Sequence, residues 1–191
     1  MRKLYLLDNG HGIETPGKRS PKYDGVELRE YEFTRDIVNR LATLLSWAGV
    51  DFRTLVPETE DVSLIERVRR ANEWGDYAIY ISIHANAGGG RGIEVFTSPG
   101  ETKSDAIATM FMNSFKTLFP EVRMRTDLTD GDTDKEARFT VLTETKMPAI
   151  LTENFFMDNE AECRKYLMTE EGRNLIAVAH YQAIMNIEKV G

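Results

Sequence analysis

The chain has 191 residues, and its 24 Lys and Arg against 31 Asp and Glu give a formal charge of −7. That length suits one domain with its own core, and the acidic balance argues against a nucleic-acid partner, whose affinity draws on Lys and Arg. No run approaches the roughly 18 apolar residues of a membrane span, and the single Cys163 excludes an internal disulfide.

Residues 1–8 are basic and then apolar, too short for a signal h-region, so synthesis and folding in the cytoplasm without a signal peptide are expected. Residues 4–7 read as a strand ending in the turn Asp8-Asn-Gly-His-Gly12. Residues 13–26 form a long loop with Pro16, Gly17, Pro21 and Gly25, carrying Lys18, Arg19 and Lys22. A helix is expected over 27–48, with Phe33, Ile37, Leu41, Leu44 and Ala48 on its buried face and Glu32, Asp36, Asn39 and Thr43 opposite. Gly49 stands where a left-handed cap would end it. Then come a strand over 51–56 and a helix over 61–74, with Leu64, Val68 and Ala71 in register.

The strongest strand covers 77–83 and leads into Ser82-Ile-His-Ala-Asn86, and Gly88-Gly-Gly90 breaks it. A strand over 92–98, a helix over 102–119 and a polar loop over 123–137 follow. Residues 139–143 read as a short strand and 148–153 as another, helix returns from Asn159, and a last helix spans 170–187 with Ile176, Ala179, Ala183 and Ile187 on one face. Strands alternating with helices imply a single α/β domain, residues 1–191, whose twisted, largely parallel, mixed sheet carries helices on both faces. No second domain is expected.

Ligands in such folds gather at the carboxyl ends of strands. That rule selects His11, His84 and Glu153. Two histidines in strand-end turns suggest a metal, since zinc takes imidazole and carboxylate ligands and a catalytic site keeps three protein ligands and one open position. Glu30 is the carboxylate best placed as third ligand. It heads the buried stripe of the first helix, where a carboxylate is costly unless paired or bound to a cation. Glu27, rotated off the stripe, is a lesser candidate. Glu153, following Ile150-Leu151, fits a general base for an activated water. Each residue alone has an ordinary alternative: a strand-end histidine is usually a loop or core residue, and a helical glutamate usually a solvated charge.

Together the segments are more specific. Leu7-Asp-Asn-Gly-His-Gly12, Glu30 at a helix start, Ser82-Ile-His-Ala-Asn86, Gly92-Ile-Glu-Val-Phe96 and Pro148-Ala-Ile-Leu-Thr-Glu153, followed by Phe155-Phe-Met-Asp-Asn159, resemble the zinc-dependent N-acetylmuramoyl-L-alanine amidases of the type 3 amidase family, over about residues 3–187. The resemblance implies His11, Glu30 and His84 as zinc ligands and Glu153 as base and acid. The reaction it implies is hydrolysis of the amide between N-acetylmuramic acid and L-alanine in peptidoglycan, with the bacterial cell wall as site of action. Asn9 stands where the family usually has proline, and Asn154-Phe155-Phe156 where it usually has a small or glycine-containing turn.

Asp8, Asn86 and Glu94 are expected to orient a ligand histidine or meet substrate, turn shaping and solvated pairing being the plainer readings. Lys18, Arg19 and Lys22 could meet the stem peptide's carboxylates. His180 reads as packing, as do Cys163 and the methionines 110, 112 and 124. A monomer without nucleic-acid or membrane partners is expected. Two rival functions remain: a zinc peptidase or carboxypeptidase-like amidohydrolase using the same triad, and a non-catalytic peptidoglycan-binding module. The wall biology stays open between a phage lysin and a bacterial enzyme of wall recycling or remodelling.

Overall fold

In a computed structural model that describes residues 3–129 and 131–190, six strands form one sheet in the order β2-β1-β3-β6-β4-β5. The strands are β1 (Leu4–Asp8), β2 (Asp51–Thr54), β3 (Ala78–Asn86), β4 (Ile93–Thr97), β5 (Lys135–Glu136) and β6 (Ala149–Phe156). All neighbours run parallel except β4 and β6. The helices are α1 (Glu30–Ala48), α2 (Leu64–Asn72), α3 (Lys103–Leu118), the single turn α4 (Thr140–Thr143), the short α5 (Glu160–Glu162) running into a π-turn at Cys163–Leu167, and α6 (Glu170–Val190). No helix among the described residues is long and apolar enough to cross a membrane.

Period-2 alternation along the strands divides the core in two. Tyr5, Leu7, Ile79, Ile81, Ile83 and Ile150 face α1, α3 and α6. Leu4, Leu6, Ala78, Tyr80, Ala149 and Leu151 face Ala71 of α2 and Val141 and Leu142 of α4. Helices thus cover both faces of a mixed, mostly parallel sheet, as the pattern requires. The two covers are unequal, and the thin one leaves the carboxyl ends of the strands open.

Several elements begin or turn elsewhere than the periodicity predicts. α1 starts at Glu30, because residues 27–29 instead pair with the loop before them: Ser20 N–H donates to Leu28 O at 2.8 Å and Glu30 N–H to Lys18 O at 3.0 Å. Its buried seam runs Phe33, Thr34, Ile37, Val38, Leu41 and Leu45, leaving Leu44 half-buried and Ala48 exposed. Burial of each large side chain on that seam contributes roughly 1.5–3 kcal/mol. Gly49 ends the helix at φ 68°, donating to Leu45 O and Ser46 O. In α2 the exposed Leu64 is off the buried face, which Arg67 occupies. The two-residue β5 lies inside the expected loop.

The expected strand at 139–143 is wrong. Thr140–Thr143 is one helical turn, with Leu142 N–H and Thr143 N–H both donating to Phe139 O. Adjacent Val141 and Leu142 both bury in the same cluster. Neighbours in a strand would point to opposite faces, whereas a helical turn lets both pack inward.

Candidate metal centre and active site

Three elements bring His11, Glu30 and His84 together. His11 lies three residues past β1 with φ 62°, a left-handed backbone held in place around it. Thr34 Oγ1 of α1 donates to Asn9 O at 2.9 Å, and Gly12 N–H to Thr15 Oγ1 at 2.9 Å. Gly10 must be glycine, because a Cβ there would stand 2.3 Å from His84 Cε1. Glu30 is the first residue of α1 and only 1% exposed. His84 is on β3, two residues before its end.

The donor atoms converge. His84 Nδ1 lies 3.2 Å from His11 Nε2 and 3.2 Å from Glu30 Oε1, and His11 Nε2 lies 3.4 Å from Glu30 Oε1. Four ligands about 2.0–2.1 Å from a tetrahedral zinc stand about 3.3 Å apart, so the three separations fit three corners of that tetrahedron. Ser82 Oγ is 3.0 Å from His84 Nε2, which orients the ring and leaves Nδ1 for the cluster. Ala85 N–H donates to Glu30 Oε1 at 3.1 Å. Glu30 Oε2 is buried without a hydrogen-bond donor, with Lys18 Nζ at 3.8 Å. These are oxygen and nitrogen donors in the set zinc prefers, one of them a buried carboxylate whose charge asks for a cation.

The electrostatics agree. Burial would raise the Glu30 carboxyl, but hydrogen bonds from both imidazoles hold it well below its usual range. Burial lowers His11 despite Glu30. For His84 burial also works downward, and the bond and charge of Glu30 outweigh it, so its affinity for a proton rises. The ionised Glu30 draws a proton onto the cluster, and a metal replaces the proton in such a group.

Glu153 stands opposite His84 in the β3–β6 register. Its side chain lines an open cavity of about 560 Å³ with His11, His84, Lys18, Arg67 and Phe139. Burial pushes its carboxyl up to about 8, with Glu30 adding to the rise and His84 opposing it, and Oε2 has no partner. Just past it β6 carries a bulge. Two steps on β3, His84 to Asn86, face three on β6, Glu153 to Phe156, and Phe155 takes φ 62°. Asn154 Nδ2 closes the gap by donating to His84 O at 2.9 Å.

The other expectations divide. Glu27 pairs with Arg19 at 3.3 Å and Arg29 at 3.6 Å, away from the cluster. Asp8 is buried and bonded by Arg67 and by Tyr80 Oη, a charged network at the cavity floor. Glu94 holds Asn86, Arg125 at 2.9 Å and Lys135 at 2.7 Å, so neither it nor Asn86 touches a cluster histidine through those bonds. Of the basic loop residues, Lys18 lines the cavity and Arg19 is engaged with Glu27. His180 is buried between Phe111 and Phe115, with Nδ1 2.8 Å from Ile176 O and Nε2 3.0 Å from Thr152 Oγ1. Cys163 is buried in the main core.

Ser82, Gly10 and Arg67 were not singled out by the sequence. Ser82 carries a readable signal: two residues before His84 on a strand, it shares its face. Arg67 does too, falling at the i+3 position of the Leu64-Val68-Ala71 stripe. Gly10 has none, because its neighbour is remote in sequence.

Residues 6–186 match the family described as N-acetylmuramoyl-L-alanine amidase. The chain is 36% identical over 168 residues to a sporulation-specific N-acetylmuramoyl-L-alanine amidase of Bacillus subtilis, covering 86% of this chain and 60% of that protein. It is 28% identical over 190 residues to an endolysin of Bacillus phage SPP1, covering 98% and 66%. Among solved structures, an N-acetylmuramoyl-L-alanine amidase, AmiC2, of Nostoc punctiforme superposes with a TM-score of 0.80 at 27% identity, covering 97% of each chain. The chain therefore spans about 60% of the length of the first of these relatives.

Proposed function

Since the chain belongs to the N-acetylmuramoyl-L-alanine amidase family, we propose that it hydrolyses the amide between the lactyl group of N-acetylmuramic acid and L-alanine in peptidoglycan, as one catalytic domain acting on the bacterial cell wall. The observation that carries this reading is the tetrahedral spacing of His11 Nε2, Glu30 Oε1 and His84 Nδ1, with both histidines on the wall of the cavity that Glu153 lines.

His11, Glu30 and His84 would hold a zinc ion. When bound, that ion supplies Lewis-acid polarisation of carbonyl and water and a counter-charge for the oxyanion. Ser82 keeps the His84 ring turned so that Nδ1 faces the donor group. Glu153 takes the proton from the attacking water and passes it to the alanine nitrogen as the C–N bond breaks, giving a lactyl carboxylate and a free L-alanine amino terminus. A buried carboxyl with raised proton affinity suits both halves of that transfer. Lys18, at the cavity edge, is placed to meet a carboxylate of the stem peptide.

The peptidase alternative uses the same donors on a different amide, so products decide it. Digestion of purified peptidoglycan by wild type and Glu153→Gln, with and without zinc after chelation, is read by mass spectrometry. Wild type should free intact stem peptides beginning with L-alanine, in a zinc-dependent manner. Glu153→Gln should retain fold and metal and lose about 10²–10⁴-fold in rate. Internal peptide cleavage would favour the peptidase. Wall binding without release by folded, zinc-loaded protein would leave a binding module.

A further inference from the structure

A second group of carboxylates lies at the far edge of the sheet. Asp105, Asp132 and Asp134 each offer an oxygen within 4.8 Å of the others. Asp105 closes a capping box with Thr102 in the first turn of α3. Asp132 and Asp134 come from the bend that enters β5. Asp134 is 2% exposed. Its Oδ2 accepts from Thr97 Oγ1 at 2.6 Å, but its Oδ1 is buried with no donor, and so are Asp132 Oδ1 and Thr133 Oγ1. Burial, with the neighbouring charges of Asp132 and Asp105, pushes the Asp134 carboxyl up to about 7. The adjacent Lys135 does not relieve it, since its Nζ sits 2.7 Å from Glu94. Buried acceptors left without donors require an explanation.

We infer that Asp105, Asp132 and Asp134 form a calcium site that ties the segment entering β5 to the ends of β4 and α3. The three ligands are all carboxylates, with no nitrogen or sulfur among them, which selects a hard cation. Calcium accepts six to eight oxygen ligands in flexible geometry, whereas magnesium demands a near-ideal octahedron and keeps several waters. The site stands apart from the His11–Glu30–His84 group and does not depend on the proposed reaction. It bears on the cavity through the chain: Ala137 N–H donates to Thr97 O at 3.0 Å, and the next residues, Arg138, Phe139 and Thr140, line the cavity wall. A cation at Asp134 braces that wall from behind.

Calorimetric titration of the purified chain with CaCl₂, and separately with MgCl₂, tests this. One Ca²⁺ per chain is expected, with Kd about 1 mM or tighter and weaker Mg²⁺ binding. His84→Ala should leave the isotherm unchanged, while Asp134→Asn and Asp132→Asn weaken it about tenfold or more. In calcium-free buffer the two Asn variants, relieved of a like charge, should melt at or above the wild-type temperature, and Ca²⁺ should raise Tm in wild type alone. Ca²⁺ should also slow tryptic cleavage after Lys135 and Arg138. No binding at about 10 mM Ca²⁺, or binding that His84→Ala removes and the Asn variants keep, overturns the proposal. So does a wild-type Tm that falls as pH rises through 7 and ignores Ca²⁺, which marks a proton shared by the carboxylates. If Asp134→Asn fails to fold, the half-buried Asp132→Asn decides.

Discussion

Ser82 and His180 show how one polar contact settles the behaviour of an imidazole. Ser82 Oγ meets His84 on the nitrogen turned away from the donor cluster. Partners of this kind typically account for 10–100-fold in metal affinity. Ser82→Ala should therefore weaken zinc binding by about that factor in a chelator competition, with little change in fold. His180 has the opposite surroundings. It is enclosed by two phenylalanine rings, a carbonyl and a hydroxyl, with no carboxylate among them, and burial lowers its pKa to about 4. A pKa depressed on folding means that the unfolded chain binds the proton more tightly. The stability owed to neutral His180 is complete above about pH 6.5 and is lost as pH falls toward 4, about 3 kcal/mol in all. Urea midpoints measured from pH 8 to 4 should show that loss in wild type and a shallower one in His180→Gln.

Among the elements, β6 carries the sharpest local conflict. Phe155 sits at φ 62° in the bulge after Glu153, a conformation that costs a residue with a side chain on the order of 1–3 kcal/mol. Its ring is fully buried, stacked on Tyr166 at 4.2 Å and edge-on to Phe119 at 5.3 Å. Losing a buried Phe costs about 3–5 kcal/mol, so packing outweighs strain. Phe155→Gly should destabilise by about 2 kcal/mol, because it relieves the strain while losing the ring. Phe155→Ala should be about 1 kcal/mol worse, reversing the usual order of these two residues. Denaturant unfolding of the two variants checks both statements. Ring stacking thus holds the bulge where the chain carries Phe155-Phe156.

For the whole molecule, the proposed metal group would act as a fold-level clamp, because His11, Glu30 and His84 come from a loop, a helix start and a strand. A ligand that binds only the folded chain stabilises it, by about 2.7 kcal/mol at 100 times its Kd. For a domain of this size that corresponds to about 5–10 °C in Tm. Zinc removal should lower the melting temperature by that amount, and the difference should vanish in His84→Ala. The second face of the sheet bears on the same site. Its thin cover of α2 and α4 leaves the cavity open, and the buried ion pair of Asp8 with Arg67 forms the floor.

The amino-acid sequence alone determined the α/β class, the strand that bears His84 and the place of Glu30 at the head of a buried stripe, whereas the strand expected to end at Glu153 runs on to Phe156. Each is written in a local period, 2 or 3.6 residues, that burial enforces. The Gly49 stop and the packing role of His180 were legible for the same reason. Only the tertiary structure decided which carboxylates are free to act. Asp8 and Glu94, which look like partners for the histidines, are taken by Arg67 and by Arg125 and Lys135. The turn at Thr140–Thr143 and the need for Gly10 were decided there too. Charged partners, bulges and close backbone approaches join residues tens of positions apart, and no local periodicity records which of them will meet.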